Sequence, residues 1–292
     1  MGALVCPMLT ADQQNFYHDK GYLLLPQFKA AGEVAALRQW ATGVVDAFDA
    51  SKVKSIFTTK DQSRQVDDYF MASAANTSCF FEEEAFDRNG QLKQPKARSI
   101  NKIGHAMHDL DPLVSAFSRG PRLAGLAQDL GLTQPQIWQS MVIFKQPLIG
   151  GEVGWHQDAT FFETDPITVT TFWFALEDAT LQNGCLWVQP GGHRGPLRER
   201  FVKTEGNRAA MELIDITPWP TQASAIALEA KAGDLIILHG LLPHYSAPNR
   251  SATSRMAFTL HVTDARSAYS PRNWLQRGGS LPVQGFELLS LN

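Results

Sequence analysis

The chain has 292 residues, 44% hydrophobic and 19% charged, enough to bury one large core or two small ones. A formal net charge of −3, a pI near 6.2 and the absence of any long basic run argue against a nucleic-acid surface. No apolar stretch approaches the ~18 residues that a membrane span needs.

In chain order, Thr10 with Gln13 has the form of a capping box, opening a helix that runs to about Lys20. Gly21 ends it, and Tyr22-Leu23-Leu24-Leu25 reads as a strand. From Ala31 to Phe48 the apolar residues Val34, Leu37, Ala41, Val44, Val45 and Phe48 recur at helical spacing. Residues 51–98 are polar and irregular, with apolar islands at Tyr69-Phe70 and Phe80-Phe81, and are expected to form lid or wall loops. From Gln136 onward strand signals dominate, at 136–146, 168–176, 185–189, 225–229, 234–238 and 256–263. Turn chemistry separates them: Asn183-Gly184, Pro190-Gly191-Gly192-His193 and Ala232-Gly233-Asp234. The pattern predicts a mainly β fold with flanking α, a double-stranded β-helix (a cupin-like jelly roll) with N-terminal helices. A single domain is expected over 1–292: a helical, loop-rich part (1–135), the jelly-roll core (136–265) and a C-terminal extension (266–292). No internal repeat or low-complexity tract is present.

The chemistry concentrates at Trp155-His156-Gln157-Asp158. Residues i and i+2 of a strand share a face, so His156 and Asp158 project together, roughly 6–7 Å apart at the backbone. Such a pair often arises by chance as a surface hydrogen bond or helix cap. The glycine-rich turn before it, Gly150-Gly151-Glu152-Val153-Gly154, suits a pocket mouth. His244, reached after the buried strand Leu235-Ile236-Ile237-Leu238, supplies a second imidazole. Two imidazoles and one carboxylate leave half of an octahedron open, the arrangement of non-haem Fe(II) oxygenases. Arg255, eleven residues beyond His244, offers a cation to an acidic co-substrate, although by spacing alone it reads equally as an exposed strand-end cation.

Several long stretches together resemble the phytanoyl-CoA dioxygenase family of Fe(II)/2-oxoglutarate oxygenases, closest to its domain-containing-protein-1 branch. They are Ser99-Ile100-Asn101-Lys102-Ile103-Gly104-His105-Ala106, Gln139-Ser140-Met141, Ile143-Phe144-Lys145-Gln146-Pro147, His156-Gln157-Asp158-Ala159 and Asn183-Gly184-Cys185-Leu186-Trp187. Carried over by position, the resemblance implies iron ligands at His156, Asp158 and His244. It also implies 2-oxoglutarate contacts at Lys102, Met141, Gln157, Trp173, Ser246 and Arg255. A guanidinium at 255 suits the distal carboxylate by paired charge-assisted hydrogen bonds, with the Ser246 hydroxyl as a further donor. Met141 can only shape the pocket, and without the family Trp173 reads as core. His244, followed by Ser246 and Asn249, matches the family pattern better than His239, which reads as supporting structure. His105, His108 and His193 read as structural, and His261 as a satisfied core or pocket-wall histidine.

The implied cofactors are Fe(II), 2-oxoglutarate as co-substrate, and O2, acting on a small-molecule substrate with no nucleic-acid or membrane partner. Halogenases of this type replace the metal-binding carboxylate with a small residue, so an intact Asp158 points to hydroxylation or desaturation. The alternative is a metal-dependent cupin-type isomerase or hydrolase, which uses the same ligands but needs no Arg255. The basic residues Arg194, Arg198, Arg200, Lys203 and Arg208 read either as a solvated face or as an anion site. Three widely spaced cysteines, Cys6, Cys79 and Cys185, without a C-x-x-C pair fit a reducing compartment. The N-terminus lacks the layout of a secretion signal and carries Cys6 where myristoylation wants Ser or Thr. Ser290-Leu291-Asn292 is not a peroxisomal signal, so the cytoplasm is the expected location.

Overall fold

The computed structural model describes residues 7–57, 67–206 and 208–287. The readings made at Cys6, at residues 58–66 and at Ser290-Leu291-Asn292 lie outside the described residues.

The first helix, α1 (Ala11–Lys20), carries the expected reciprocal cap: Gln13 N–H donates to Thr10 Oγ1, and the Thr10 N–H donates to Gln13 Oε1. Gly21 closes it at φ +78°, where its N–H reaches the Tyr17 carbonyl, a conformation that a side chain would strain. Strand β1 (Tyr22–Leu25) and helix α2 (Ala31–Ala47) follow as the sequence indicates. The short helix α3 (Asp68–Ala72) leads to β2 (Thr77–Phe81) and β3 (Ile100–His105). Three more helices, α4 (Met107–Leu110), α5 (Pro112–Ser118) and α6 (Pro121–Asp129), precede the long β4 (Pro135–Lys145). Then come β5 (Val153–His156), β6 (Thr164–Asp165), β7 (Thr170–Ala175), β8 (Leu186–Val188) and the hairpin β9 (Glu199–Thr204) with β10 (Arg208–Leu213). The chain continues through β11 (Ile226–Leu228), β12 (Leu235–His239), β13 (His244–Ser246), β14 (Arg255–Asp264) and β15 (Ala268–Tyr269).

Two antiparallel sheets face each other. The larger runs β1-β12-β7-β14-β4-β3-β2 and the smaller β11-β8-β13-β5, giving the jelly-roll core. Strand alternation divides the larger sheet's side chains between two layers. Trp173, Ala175, Ile236, Leu238 and Ala257 meet Leu186, Val188 and Leu228 of the smaller sheet. Phe172, Phe174, Ile237, Phe258 and Leu260 point the other way, under Leu37, Ala41 and Val45 of α2 and Phe117 of α5. The helical layer thus covers one face of the large sheet, leaving the space between the sheets for the site.

Two sequence expectations need correction, and one stretch without a reading is filled in. The N-terminal part contributes three strands to the larger sheet, and one of them, β2, lies within a region expected to be loops. The signal was hidden because β2 and β3 are buried on both faces, so Thr77–Phe81 and Ile100–His105 show no polar-apolar alternation. Residues 194–224, unread in the sequence, contain the β9–β10 hairpin. Its arginines do not form one solvated face. Arg198 is buried and donates to the Thr217 and Pro218 carbonyls, Arg200 pairs with Glu163, and Arg194 reaches Asp19.

Phe258 is fully buried and packs edge-on against Phe117 (centroids 5.4 Å apart) and tilted against Phe174 (6.2 Å). Phe258→Ala should therefore cost about 3–5 kcal/mol of stability, read as a lowered denaturant midpoint at unchanged slope.

Candidate active site

Strand β5 delivers His156 and ends there. Gln157 stays extended at φ −123° and ψ 134°, and Asp158 opens a single 3-10 turn. One extended residue between them is enough to keep His156 and Asp158 on one side, although Asp158 is not itself in the strand. The pairing of β13 with β5 places His244 directly opposite His156, their rings 4.0 Å apart. Asp158 Oδ1 lies 3.7 Å from Nε2 of each of these histidines.

The ring tautomers follow from the partners behind them. His156 Nδ1 is 2.8 Å from the Gly154 carbonyl and His244 Nδ1 is 3.0 Å from the Leu242 carbonyl. Carbonyls only accept, so each Nδ1 carries the proton and each Nε2 lone pair faces Asp158. The Thr171 hydroxyl donates to Asp158 Oδ2 at 2.5 Å, which leaves Oδ1 for the space between the imidazoles. Burial alone would raise the Asp158 pKa; the His244 and His261 imidazoles outweigh it and hold the carboxyl far below its ordinary range. Two Nε2 atoms and one carboxylate oxygen, all within 4.8 Å of one another, fit a divalent cation with open positions.

Two cavities meet at this triad and share Met141, Ile143, Val153, His156, Asp158 and His261 as a common wall. The inner one, about 460 Å³, is also lined by Trp173, Leu238, His244, Ser246, Arg255 and Thr259. Arg255, only 2% exposed, donates through Nε to the Gly184 carbonyl (3.2 Å) and through Nη2 to Ser246 Oγ (3.1 Å). Its Nη1, like the Thr259 hydroxyl, has no hydrogen-bond partner among the described residues. Burial lowers the guanidinium pKa to about 10, so it stays charged at neutral pH. A buried cation with a free N–H in a cavity is a receptor for a carboxylate.

The outer cavity, about 680 Å³, is mostly apolar and aromatic, with Phe57, Phe70, Phe161 and Trp274 beside the polar Asn101, Lys102, His105 and Gln139. Lys102 is buried there, its ammonium 3.4 Å from the centroid of the Phe57 ring.

The structure thus brings together seven of the nine residues singled out in the sequence: the triad with Met141, Trp173, Ser246 and Arg255. Lys102 lines only the outer cavity. Gln157 points away from both: its amide donates to the Pro196 and Leu241 carbonyls and its oxygen accepts from the Arg198 N–H. As residue i+1 between two inward side chains, it faces outward. His239 accepts from the Leu241 N–H and stands clear of the triad, as expected. His261 is a wall residue, its Nε2 3.4 Å from Asp158 Oδ1, yet its Nδ1 has no hydrogen-bond partner among the described residues. Thr171 and Thr259 were not anticipated. Each sits two residues from a residue that was noticed, Trp173 and His261, on an inward-facing strand position.

A profile of the family described as phytanoyl-CoA dioxygenase (PhyH) matches residues 17–257. The chain belongs to the phytanoyl-CoA dioxygenase family. A relative from Arabidopsis thaliana named "Phytanoyl-CoA dioxygenase" is 46% identical over 270 residues, 92% of this chain and 94% of the relative. The Bos taurus "Phytanoyl-CoA dioxygenase domain-containing protein 1" is 37% identical over 282 residues, 94% of this chain and 97% of its own. Among solved structures, the α-ketoglutarate-dependent carbocyclase SnoK superposes with a TM-score of 0.62 at 18% identity, covering 97% of this chain and 94% of that one. EctD from S. alaskensis, solved with 2-oxoglutarate and 5-hydroxyectoine, gives 0.63 at 21%, covering 95% and 87%. These likenesses establish the fold of this family member.

Thr171→Val removes the hydroxyl that orients Asp158 while conserving volume. Divalent-metal affinity, measured by titration with Mn(II), should fall about 10- to 100-fold with the fold intact.

Proposed function

We propose that the chain is an Fe(II)- and 2-oxoglutarate-dependent oxygenase that hydroxylates, or desaturates, a small organic substrate. The observation that carries this reading is the buried Arg255 with an unpaired Nη1, in the same cavity that ends at the His156, Asp158 and His244 donors. Family membership, and neighbours crystallised with iron or 2-oxoglutarate, support it. A cupin-type isomerase or hydrolase would have no use for a buried cation behind its metal.

In this proposal His156 Nε2, His244 Nε2 and Asp158 Oδ1 hold the iron, with Thr171 and the Gly154 and Leu242 carbonyls fixing their orientation. When bound, the iron supplies the coupling of 2-oxoglutarate decarboxylation by O2 to removal of a hydrogen atom from substrate. Arg255 Nη1 and the Ser246 hydroxyl take the far carboxylate of 2-oxoglutarate, while Trp173 and Met141 set the width of the cavity. Lys102 acts from the outer cavity, and Gln157 steadies the segment that carries Asp158 rather than touching a ligand. The aromatic wall of Phe57, Phe70, Phe161 and Trp274 excludes water and frames the substrate beside His156 and Asp158.

We propose the cytoplasm as the protein's place in the cell. No described helix is long and apolar enough to cross a membrane, and Cys79 and Cys185 are buried free thiols. These features suit the reducing cytoplasm.

Anaerobic Fe(II)-loaded protein titrated with 2-oxoglutarate should develop the weak visible absorption of an iron–keto-acid complex, and His244→Ala should abolish it. Metal binding without that band sinks the oxygenase reading. Arg255→Ala should weaken 2-oxoglutarate by about 2–5 kcal/mol, seen as a raised KM with iron still bound. An unchanged KM would move the carboxylate contact to Lys102.

A further inference from the structure

The outer cavity contains a polar atom that the proposed chemistry leaves unused. His105, at the end of β3, is 0% exposed and lines that cavity, and its Nε2 has no hydrogen-bond partner among the described residues. Its Nδ1 lies 2.7 Å from Ser73 Oγ, and the same hydroxyl is 2.5 Å from the Phe70 carbonyl. A serine has one hydroxyl proton, and the carbonyl, which only accepts, must receive it. Ser73 therefore accepts from His105, the ring proton sits on Nδ1, and Nε2 presents a bare lone pair.

The ring is held rather than free to turn. Trp274 packs edge-on against it at 5.2 Å, Phe70 edge-on at 5.7 Å, and Phe80 tilted at 5.7 Å. Protonation gives no escape, because burial first and then the charge of Lys102 push the ring's pKa well below its ordinary value. The cavity wall thus carries a fixed, neutral acceptor among aromatic faces, with an ammonium, Lys102, as a nearby positive charge.

We infer that His105 is a specificity-determining residue, accepting through Nε2 a hydrogen bond from a neutral hydroxyl or amide N–H of the substrate. The recognised class is therefore a molecule with an apolar or aromatic body and an uncharged hydrogen-bond donor, in preference to a plain hydrocarbon chain or a cationic amine. An apolar substrate would leave the lone pair buried and unmet, which a site built around a polar group rejects. The inference rests on the oxygenase reading only in taking the outer cavity as the substrate's place.

The test uses full-length, zinc-loaded protein with nitrogen-labelled histidine, so it needs no turnover. The Nε2 resonance of His105, assigned by its loss in His105→Phe, should report an unprotonated nitrogen; a protonated Nε2 overturns the assignment. Four small alcohols, aromatic and aliphatic, are then titrated against their methyl ethers. At least one alcohol should shift that resonance and bind up to about tenfold more tightly than its ether. The preference should vanish in His105→Phe, whose folding is checked by thermal melting, and should persist in Arg255→Ala. Equal binding within all four pairs, no binding by any, or a preference that survives His105→Phe overturns the proposal. Failure of the 2-oxoglutarate titration would leave these results standing, so the two readings fall separately.

Discussion

All ten residues of β14 are buried, and the strand is hydrogen-bonded along both edges, to β4 on one side and β7 on the other. Its alternation serves two layers at once: Phe258, Leu260 and Val262 fill the space beneath the helices, while Ala257, Thr259 and His261 face the smaller sheet and the cavities. A slip of one residue would drive aromatic rings into the site and place an imidazole and a hydroxyl in the apolar layer. Register here is enforced by the whole core, so the positions of Thr259 and His261 follow from hydrophobic packing rather than from the polar groups themselves. Strand β7 repeats the arrangement, with Phe172 and Phe174 outward and Thr171 and Trp173 inward.

That rigidity lets the site hold charges at a cost. Arg255 and Lys145 are paired across β14 and β4, both almost wholly buried, and neither has a carboxylate within ion-pairing distance among the described residues. Lys145 instead donates to the Gly151 and Ser246 carbonyls, tying the loop before His156 to the strand that carries His244. Burial and the neighbouring Arg255 push its ammonium pKa well down. Two basic groups placed this closely cost the fold stability, a cost that shows in the lowered ammonium pKa.

The sequence carried the His156, Asp158 and His244 triad and the guanidinium because those groups are chemically distinctive and lie at or beside strand ends. The capping box at Thr10 and the strands from β4 onward were legible for similar local reasons. What escaped was whatever depended on burial from both sides. Ile100–His105 mixes Asn, Lys and His with apolar residues, and only the outer cavity and the buried core explain why such a segment is a strand. Thr171 was invisible for a different reason: nothing in a threonine's neighbours announces that its hydroxyl meets a carboxylate thirteen residues away. Gln157 shows the opposite error, where family position suggested a ligand contact and the alternation of the backbone forbade it.

The segment after β14 closes the outer cavity from behind. Trp274 packs against Phe70 and His105, Arg277 donates to the Ala74 and Trp138 carbonyls, and the Gly120 and Ile137 N–H groups donate to the Phe286 and Gln284 carbonyls. A growing chain emerges from its amino end, so both sheets have all their strands in hand before this last segment appears. Until then the ring of His105 lacks Trp274, one of its two edge-on neighbours. In a chain made from its amino end, the triad residues are synthesised before the residues that wall this chamber from behind.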